Sequence, residues 1–198
     1  YNFPSSTMVP AAKISLKEKY NLPETAVIFI YQGVLHKGRG IRKIIDLLDE
    51  FENAVAVFIG DGIERESLNQ YVEIKNVKKK VVFTGSIPND ELLKYTLCAD
   101  IGFSLIQPVS DSYKQALPNK LFEYALCGVP VIASDLPEMH KFIKKYNLGE
   151  LVDPNKKEDH IQAVKKILSG NMIYSGENHE LTWESQSDKF LKIVGLHG

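Results

Sequence analysis

Cysteine is nearly absent from this sequence, which holds two, Cys98 and Cys127, among 198 residues. The two are spaced neither as a metal knuckle nor as a redox pair, and both lie in apolar stretches that predict helices. We therefore expect two reduced, buried thiols, as is usual for a cytosolic protein. A chain of this length can fold around an apolar core without disulfides.

Long apolar runs are also absent. No segment approaches the roughly 18 apolar residues of a transmembrane helix, and no signal-peptide pattern is present. An excess of one charge is lacking too, since 24 Lys and Arg residues stand against 25 Asp and Glu residues, a net charge of −1. This balance excludes the broad basic surface that binds nucleic acid. We expect a globular, cytoplasmic protein with no nucleic-acid partner.

Short apolar runs rich in β-branched residues recur along the chain and alternate with helical patterns. The runs are continuously apolar, which is typical of strands covered on both faces. This alternation predicts an α/β fold, a Rossmann-like three-layer sandwich of about six parallel strands in the order 3-2-1-4-5-6. The predicted strands are residues 26–30, 54–59, 81–84, 100–106, 129–133 and 150–152. The predicted helices are residues 41–51, 90–97, 119–127, 138–146, 158–168 and 184–194.

The loop after the first strand, residues 32–40, contains three glycines together with Lys37 and Arg39. In the predicted strand order the chain reverses between strands 1 and 4, and ligands bind in the crevice at that point. Glycines let a ligand approach the backbone, and the cations suit a phosphate or diphosphate. An ordinary turn with solvated basic residues explains the same pattern, because the glycines match neither the dinucleotide fingerprint nor a P-loop. Residues 60–62, Gly-Asp-Gly, either keep the crevice open or form a plain turn.

The connection after the fourth strand, residues 107–120, is long for a strand-to-helix loop, and such loops are usually functional or disordered. The helix that follows is apolar or aromatic over residues 121–127 except at Glu123. A buried carboxylate needs strong partners. Glu123 either pairs with Lys120 on an exposed edge or accepts hydrogen bonds from a ligand, for which a ribose diol is suitable.

Residues 117–134, LPNKLFEYALCGVPVIAS, resemble the signature block of the family 4 (group 1) glycosyltransferases. Residues 31–40 resemble the phosphate loop of that family, and residues 58–62 and 82–87 resemble its next two strand ends. The resemblance covers about residues 22–196. It implies the GT-B architecture, in which two Rossmann-like halves face each other across a cleft, and it identifies this chain as the C-terminal, donor-binding half.

The resemblance also implies a domain organisation. Residues 1–21 are expected to lead in from an N-terminal domain that this chain lacks, and residues 22–182 to form the nucleotide-sugar-binding domain. Residues 183–198 are expected to form a helix that crosses back to the N-terminal domain.

Roles for individual residues follow from the same resemblance. Glu123 matches the glutamate that holds the nucleotide ribose, and Arg39 matches the lysine of the phosphate loop. Gln115 stands where the family has a glutamate against the donor sugar, and Val34 stands where an arginine is common. We expect catalytic roles for Arg39, Gln115 and Lys120. The expected donor-binding residues are Gly33, Lys37, Gly40, Gly60, Gly62, Ser86, Ile87, Ala116, Leu117, Pro118, Asn119 and Glu123.

The reaction implied is transfer of a hexose-type sugar, with retention of configuration, from a nucleoside-diphosphate sugar to a glycan or lipid-linked acceptor. Positioned cations and N–H groups would stabilise the leaving diphosphate, so no metal or other cofactor is expected. The sequence has no Asp-x-Asp motif and no histidine cluster. Two other functions stay open: a non-catalytic nucleotide-sugar-binding module and a nucleotide-sugar epimerase of related architecture.

The resemblance implies that a separate N-terminal half binds the acceptor, which limits what we expect this chain to do alone. We expect the chain to bind the donor but to transfer no sugar, because the acceptor would be held by the missing half. The same half could bring the protein to the inner face of the membrane as a peripheral protein.

Overall fold

The computed structural model describes residues 14–109, 113, 115–171, 174, 181–182 and 185. The helix predicted at residues 184–194 and most of the expected lead-in lie outside these residues. The strands are β1 (Val27–Gln32), β2 (Ala54–Ile59), β3 (Val81–Gly85), β4 (Ile101–Ser104), β5 (Val131–Ser134) and β6 (Gly149–Val152). The α-helices of the described residues are α1 (Leu16–Lys19), α2 (Ile41–Leu47), α3 (Arg65–Ile74), α4 (Asn89–Thr96), α5 (Lys120–Leu126), α6 (Pro137–Tyr146) and α7 (Lys157–Leu168).

The six strands form one sheet in the order β3-β2-β1-β4-β5-β6. Every neighbouring pair is parallel. The longest ladder joins β1 to β2, from Val27 opposite Ala54 to Gln32 opposite Ile59. The α/β class, the parallel sheet and the strand order are therefore confirmed. Because all strands point the same way, their carboxyl ends share one edge of the sheet.

Two layers of helices cover the sheet, because successive side chains of a strand point to opposite faces. On β1, Ile28 and Ile30 belong to the core cluster that contains most of the buried face of α5. Phe29 and Tyr31 belong to the second cluster, which contains the apolar stripe of α2. Burial on both faces explains why the strands are continuously apolar rather than alternating.

Two helices were not expected. The helix α3 buries only Leu68 and Val72, so its sequence lacks the broad apolar stripe by which amphipathic helices are recognised. The short helix α1 lies in the expected lead-in, residues 1–21, and Ser15 caps it by accepting a hydrogen bond from the Glu18 N–H. None of the helices in the described part of the chain combines the length and the apolar composition that crossing a membrane requires.

Candidate functional site

A cleft of about 540 Å³ opens at the carboxyl edge of the sheet. Its walls come from the segments that follow β1, β2 and β3 and from the segment that leads into α5. Strands β1 to β4 thus place four chain segments around one space, at the crossover that the strand order predicts. The predicted site residues that line this cleft are Gly33, Arg39, Gly60, Ser86, Ile87, Leu117, Pro118, Asn119, Lys120 and Glu123.

Five other predicted site residues do not line it. Lys37 and Gly40 line a separate cleft of about 320 Å³. Gly62 packs against the preceding loop, since a Cβ there would lie 2.4 Å from the Leu35 carbonyl oxygen. Gln115 is exposed, and Ala116 packs against the apolar core. Gly62 therefore does not line the cleft that holds Gly33 and Glu123, and its donor-binding role stays a prediction.

Gly60 allows the loops after β1 and β2 to meet. Its φ is 125°, and a Cβ on it would lie 2.1 Å from the carbonyl oxygen of Gly33. The two loops are also joined by hydrogen bonds from the Gly33 N–H to the Ile59 carbonyl (2.9 Å) and from the Leu35 N–H to the Asp61 carbonyl (2.9 Å). A side chain at position 60 would separate these loops, so the floor of the cleft depends on glycine there.

The carboxylate of Glu123 lies in the first turn of α5 and is largely shielded from solvent. Its Oε2 accepts a hydrogen bond from Nε2 of Gln32. Burial raises the pKa of the Glu123 carboxyl, and the Gln32 hydrogen bond and the Lys120 charge oppose that rise. Glu123 and Lys120 both line the cleft, so they are not an ion pair on an exposed edge.

Gln32 connects Glu123 to the interior of the protein. No role for Gln32 was predicted from the sequence. The side chain is 2% exposed at the end of β1. Its Oε1 accepts a hydrogen bond from the buried hydroxyl of Thr96, at 2.9 Å. Because the amide oxygen faces Thr96, the amide nitrogen faces Glu123. A polar side chain ending an otherwise apolar strand was the signal that could have revealed it.

Lys120 is 9% exposed, and its Nζ lies 3.5 Å from the centroid of the Tyr31 ring. Burial holds the pKa of this lysine well below its usual value; the Arg39 charge lowers it further, and Glu123 opposes both. The Arg39 guanidinium carbon lies 5.0 Å from the ring centroid of Tyr113. Two cationic side chains thus share the cleft with Glu123 and Asp61. A bound anion would relieve the repulsion between the cations.

Within the described residues, no group of three His, Cys, Asp or Glu side chains could hold a metal ion. Metal independence of the reaction stays a prediction.

Comparison with known proteins assigns the family. The model of the family "Glycosyl transferases group 1" matches residues 12–185. The chain belongs to this family. The 2-deoxystreptamine glucosyltransferase of Streptomyces kanamyceticus is 26% identical to this group 1 glycosyltransferase chain over 164 residues. That match covers 80% of the chain and 41% of the relative, so the chain spans less than half of the relative's length.

Solved structures of glycosyltransferases share the fold. HepE of Anabaena, solved in complex with UDP and glucose, superposes with a TM-score of 0.78 at 15% identity, covering 98% of this chain and 56% of HepE. The C-terminal domain of LpcC, a group 1 glycosyltransferase of Francisella tularensis, superposes with a TM-score of 0.63 at 19% identity. That match covers 83% of this chain and 87% of the LpcC domain. The group 1 chain therefore corresponds in fold to a C-terminal domain of the GT-B type.

Proposed function

We propose that this chain is the donor half of a retaining glycosyltransferase that takes a hexose-type sugar from a nucleoside-diphosphate sugar. The acceptor is a glycan or a lipid-linked glycan. The observation that carries the proposal is the pairing of Glu123, held by Gln32, with two cationic side chains in one cleft. The name of the Streptomyces kanamyceticus relative and the UDP and glucose bound by HepE support a nucleotide-sugar donor.

Glu123 is the proposed acceptor for the ribose hydroxyls. An ionised carboxylate accepts hydrogen bonds at both oxygens, and the two hydroxyl groups of a ribose diol can donate two hydrogen bonds to it. The Gln32 amide occupies one position on Oε2, and the remaining lone pairs are available to the ligand. Ser86 and Ile87, which also line the cleft, are the proposed contacts of the nucleobase.

Arg39 and Lys120 are the proposed partners of the diphosphate. When the bond between the anomeric carbon and the diphosphate oxygen breaks, the bonding electrons stay with the diphosphate, whose negative charge grows. Cations fixed beside that oxygen stabilise the charge as it develops, without reorganisation of the site. A bound diphosphate also favours the protonated form of Lys120, which burial disfavours in its absence.

The domain organisation remains part of the proposal. Residues 1–21 would lead in from an N-terminal half that holds the acceptor, residues 22–182 would bind the donor, and residues 183–198 would return to the N-terminal half. A cytoplasmic location, or peripheral association with the membrane through that half, is proposed on the same basis. Vigorous sugar transfer by this chain alone would contradict this domain organisation, because donor and acceptor must be held together for transfer and the acceptor is proposed to bind to the N-terminal half.

A non-catalytic nucleotide-sugar-binding module is the second candidate function. One observation favours it: Gln115, at the position of the family's sugar-contacting glutamate, is exposed and does not line the cleft. Donor hydrolysis by the protein joined to its N-terminal half would separate the two candidates, because a pure binding module leaves the donor intact.

Calorimetric titration of the chain with UDP, GDP and ADP tests donor binding. We expect one of the three to bind with one-to-one stoichiometry and Arg39→Gln to weaken that binding at least tenfold. Lys79→Gln is the control, because Lys79 is an exposed cationic residue that lines neither this cleft nor the one beside α2. Binding of none of the three nucleotides, or equal affinity in the Arg39 variant, would contradict the proposal.

A further inference from the structure

The second cleft, of about 320 Å³, lies on the α2 and α3 side of the loop that follows β1. Lys37 and Arg39 lie on either side of the turn at Gly38. Lys37 lines this second cleft, whereas Arg39 lines the first cleft, where we propose that the donor binds. The polar and charged side chains of the second cleft are His36, Lys37, Arg42, Lys43, Glu64 and Gln107.

Positive charge is concentrated here although the whole chain carries a net charge of −1. Lys37, Arg42 and Lys43 face the cleft with Glu64 as its one carboxylate. Elsewhere in the described residues lysines form ion pairs, such as Lys157 with Glu50 at 2.7 Å. No carboxylate of those residues lies within 4.0 Å of the three cationic groups of this cleft. Their charge is thus available to a ligand.

Stacking on an aromatic ring orients one of the three cations without neutralising it. The guanidinium carbon of Arg42 lies 4.7 Å from the ring centroid of Tyr71. The Tyr71 hydroxyl donates to Asp46 at 2.5 Å, and Asp46 pairs with Lys75 at 3.1 Å. The nearby carboxylate is therefore engaged, and the guanidinium keeps N–H donors for a bidentate partner.

Backbone hydrogen bonds fix the walls of this cleft. The Leu35 carbonyl accepts from the Glu64 N–H at 3.1 Å, which ties the loop to the start of α3. The Gly38 carbonyl accepts from the Gln107 N–H at 2.9 Å, which ties the same loop to the segment after β4. A preformed cleft binds without the entropic cost of ordering a loop.

We propose that this second cleft binds a phosphoryl group. A phosphoryl dianion offers three acceptor oxygens to donors that converge from one side, and arginine binds two of them with its planar fork. The volume suits a small ligand, at the lower end of the range for ligand clefts. Glu64 accepts a hydrogen bond from a hydroxyl group of the molecule that bears the phosphate. The phosphoryl group belongs to a soluble phosphate ester or to a lipid headgroup, and the site does not depend on donor binding in the first cleft.

Nuclear magnetic resonance titration of the 198-residue chain with inorganic phosphate tests this proposal. Each cleft has its own glycine amides, Gly38 and Gly40 in the second and Gly33 and Gly60 in the first. We expect saturable shifts of Gly38 and Gly40 that persist in Glu123→Gln. The triple variant Lys37→Gln, Arg42→Gln, Lys43→Gln should weaken phosphate binding at these amides at least tenfold.

The control variant removes the same charge elsewhere, at exposed lysines that line neither cleft: Lys79→Gln, Lys144→Gln, Lys165→Gln. It should bind phosphate at the second cleft within about twofold of the wild type, at an ionic strength near 0.1 M, where charges beyond roughly 10 Å are screened. Equal weakening in both triple variants, or shifts that do not saturate, would overturn the proposal, because either result means general attraction rather than a site.

Vesicles distinguish the source of the phosphoryl group. Sedimentation with phosphatidylcholine vesicles that contain phosphatidic acid, a phosphomonoester, supports a lipid headgroup if it is lost in the Lys37, Arg42, Lys43 variant and retained in the control variant. Saturable phosphate binding without sedimentation supports a soluble phosphate ester. Sedimentation that is equal for the two triple variants, without saturable phosphate binding, contradicts a phosphoryl site.

Discussion

Replacing Gln32 with leucine removes the side chain that joins Thr96 to Glu123. Thr96 keeps an acceptor, the Leu92 carbonyl at 3.0 Å, so the loss falls on Glu123. A buried polar group left without its partner costs about 1–3 kcal/mol. At pH 7 we expect the free energy of unfolding to fall by about that amount, and nucleotide affinity to fall roughly five- to hundredfold.

The pH dependence separates this role from simple packing. Burial already raises the pKa of Glu123, and the Gln32 hydrogen bond opposes the rise, so the variant should have a still higher Glu123 pKa. A carboxyl whose pKa is raised on folding lowers the free energy of unfolding as the pH rises above its unfolded pKa, and the loss is complete above its folded pKa. The stability deficit of the variant should therefore be largest above the raised Glu123 pKa and shrink as the pH falls through it.

Urea unfolding at pH 7 and pH 5, in the wild-type and Glu123→Gln backgrounds, measures the deficit. The deficit should be smaller in the Glu123→Gln background, since residues in contact are energetically coupled. Gln70→Leu, at an exposed position of α3, is the matched control and should change stability little. A deficit that is the same at both pH values and in both backgrounds would refute the reasoning, because Gln32 would then only fill space.

Two further predictions concern the floor of the cleft and the charge of its lysine. Gly60→Ala should lower the free energy of unfolding in urea by more than Gly85→Ala, because a Cβ at position 60 meets the Gly33 carbonyl oxygen at 2.1 Å while nothing lies within 4 Å at position 85. Nucleoside diphosphate binding should take up protons in the pH range where Lys120 titrates, since burial lowers the pKa of Lys120 and a bound anion raises it again. Calorimetry in buffers of different ionisation enthalpy measures the proton uptake, and Lys120→Met should abolish it. If the wild type takes up no protons, Lys120 is not a partner of the diphosphate.

The fold was predictable because its signals are local. The four central strands are short apolar runs that are buried on both faces, and the alternation of strands with helices indicates the parallel order. The helix α3 was not predicted because its local signal is weak. Only Leu68 and Val72 are buried, which is too few to form a recognisable apolar stripe. The existence of α3 depends on packing against the rest of the chain.

The site was predictable in its location but not in its detail. Topology and the residue types of the loops indicated which segments meet at the carboxyl edge. The separation of Lys37 from Arg39 was not readable, because it depends on Gly38, whose φ of 80° turns the backbone between them. The Gln32 contact joins residues 91 positions apart, and a single sequence carries no signal for such a pairing.

The central claim is that Glu123 accepts the ribose hydroxyls of a nucleoside diphosphate in the first cleft. The most direct test is calorimetry that compares the best-bound nucleoside diphosphate with its 2′,3′-dideoxy analogue, in the wild type, in Glu123→Gln and in the exposed control Glu66→Gln. We predict that the wild type and the control prefer the ribose form roughly five- to hundredfold, the equivalent of about 1–3 kcal/mol, and that Glu123→Gln loses most of this preference. An undiminished preference in Glu123→Gln would contradict the account.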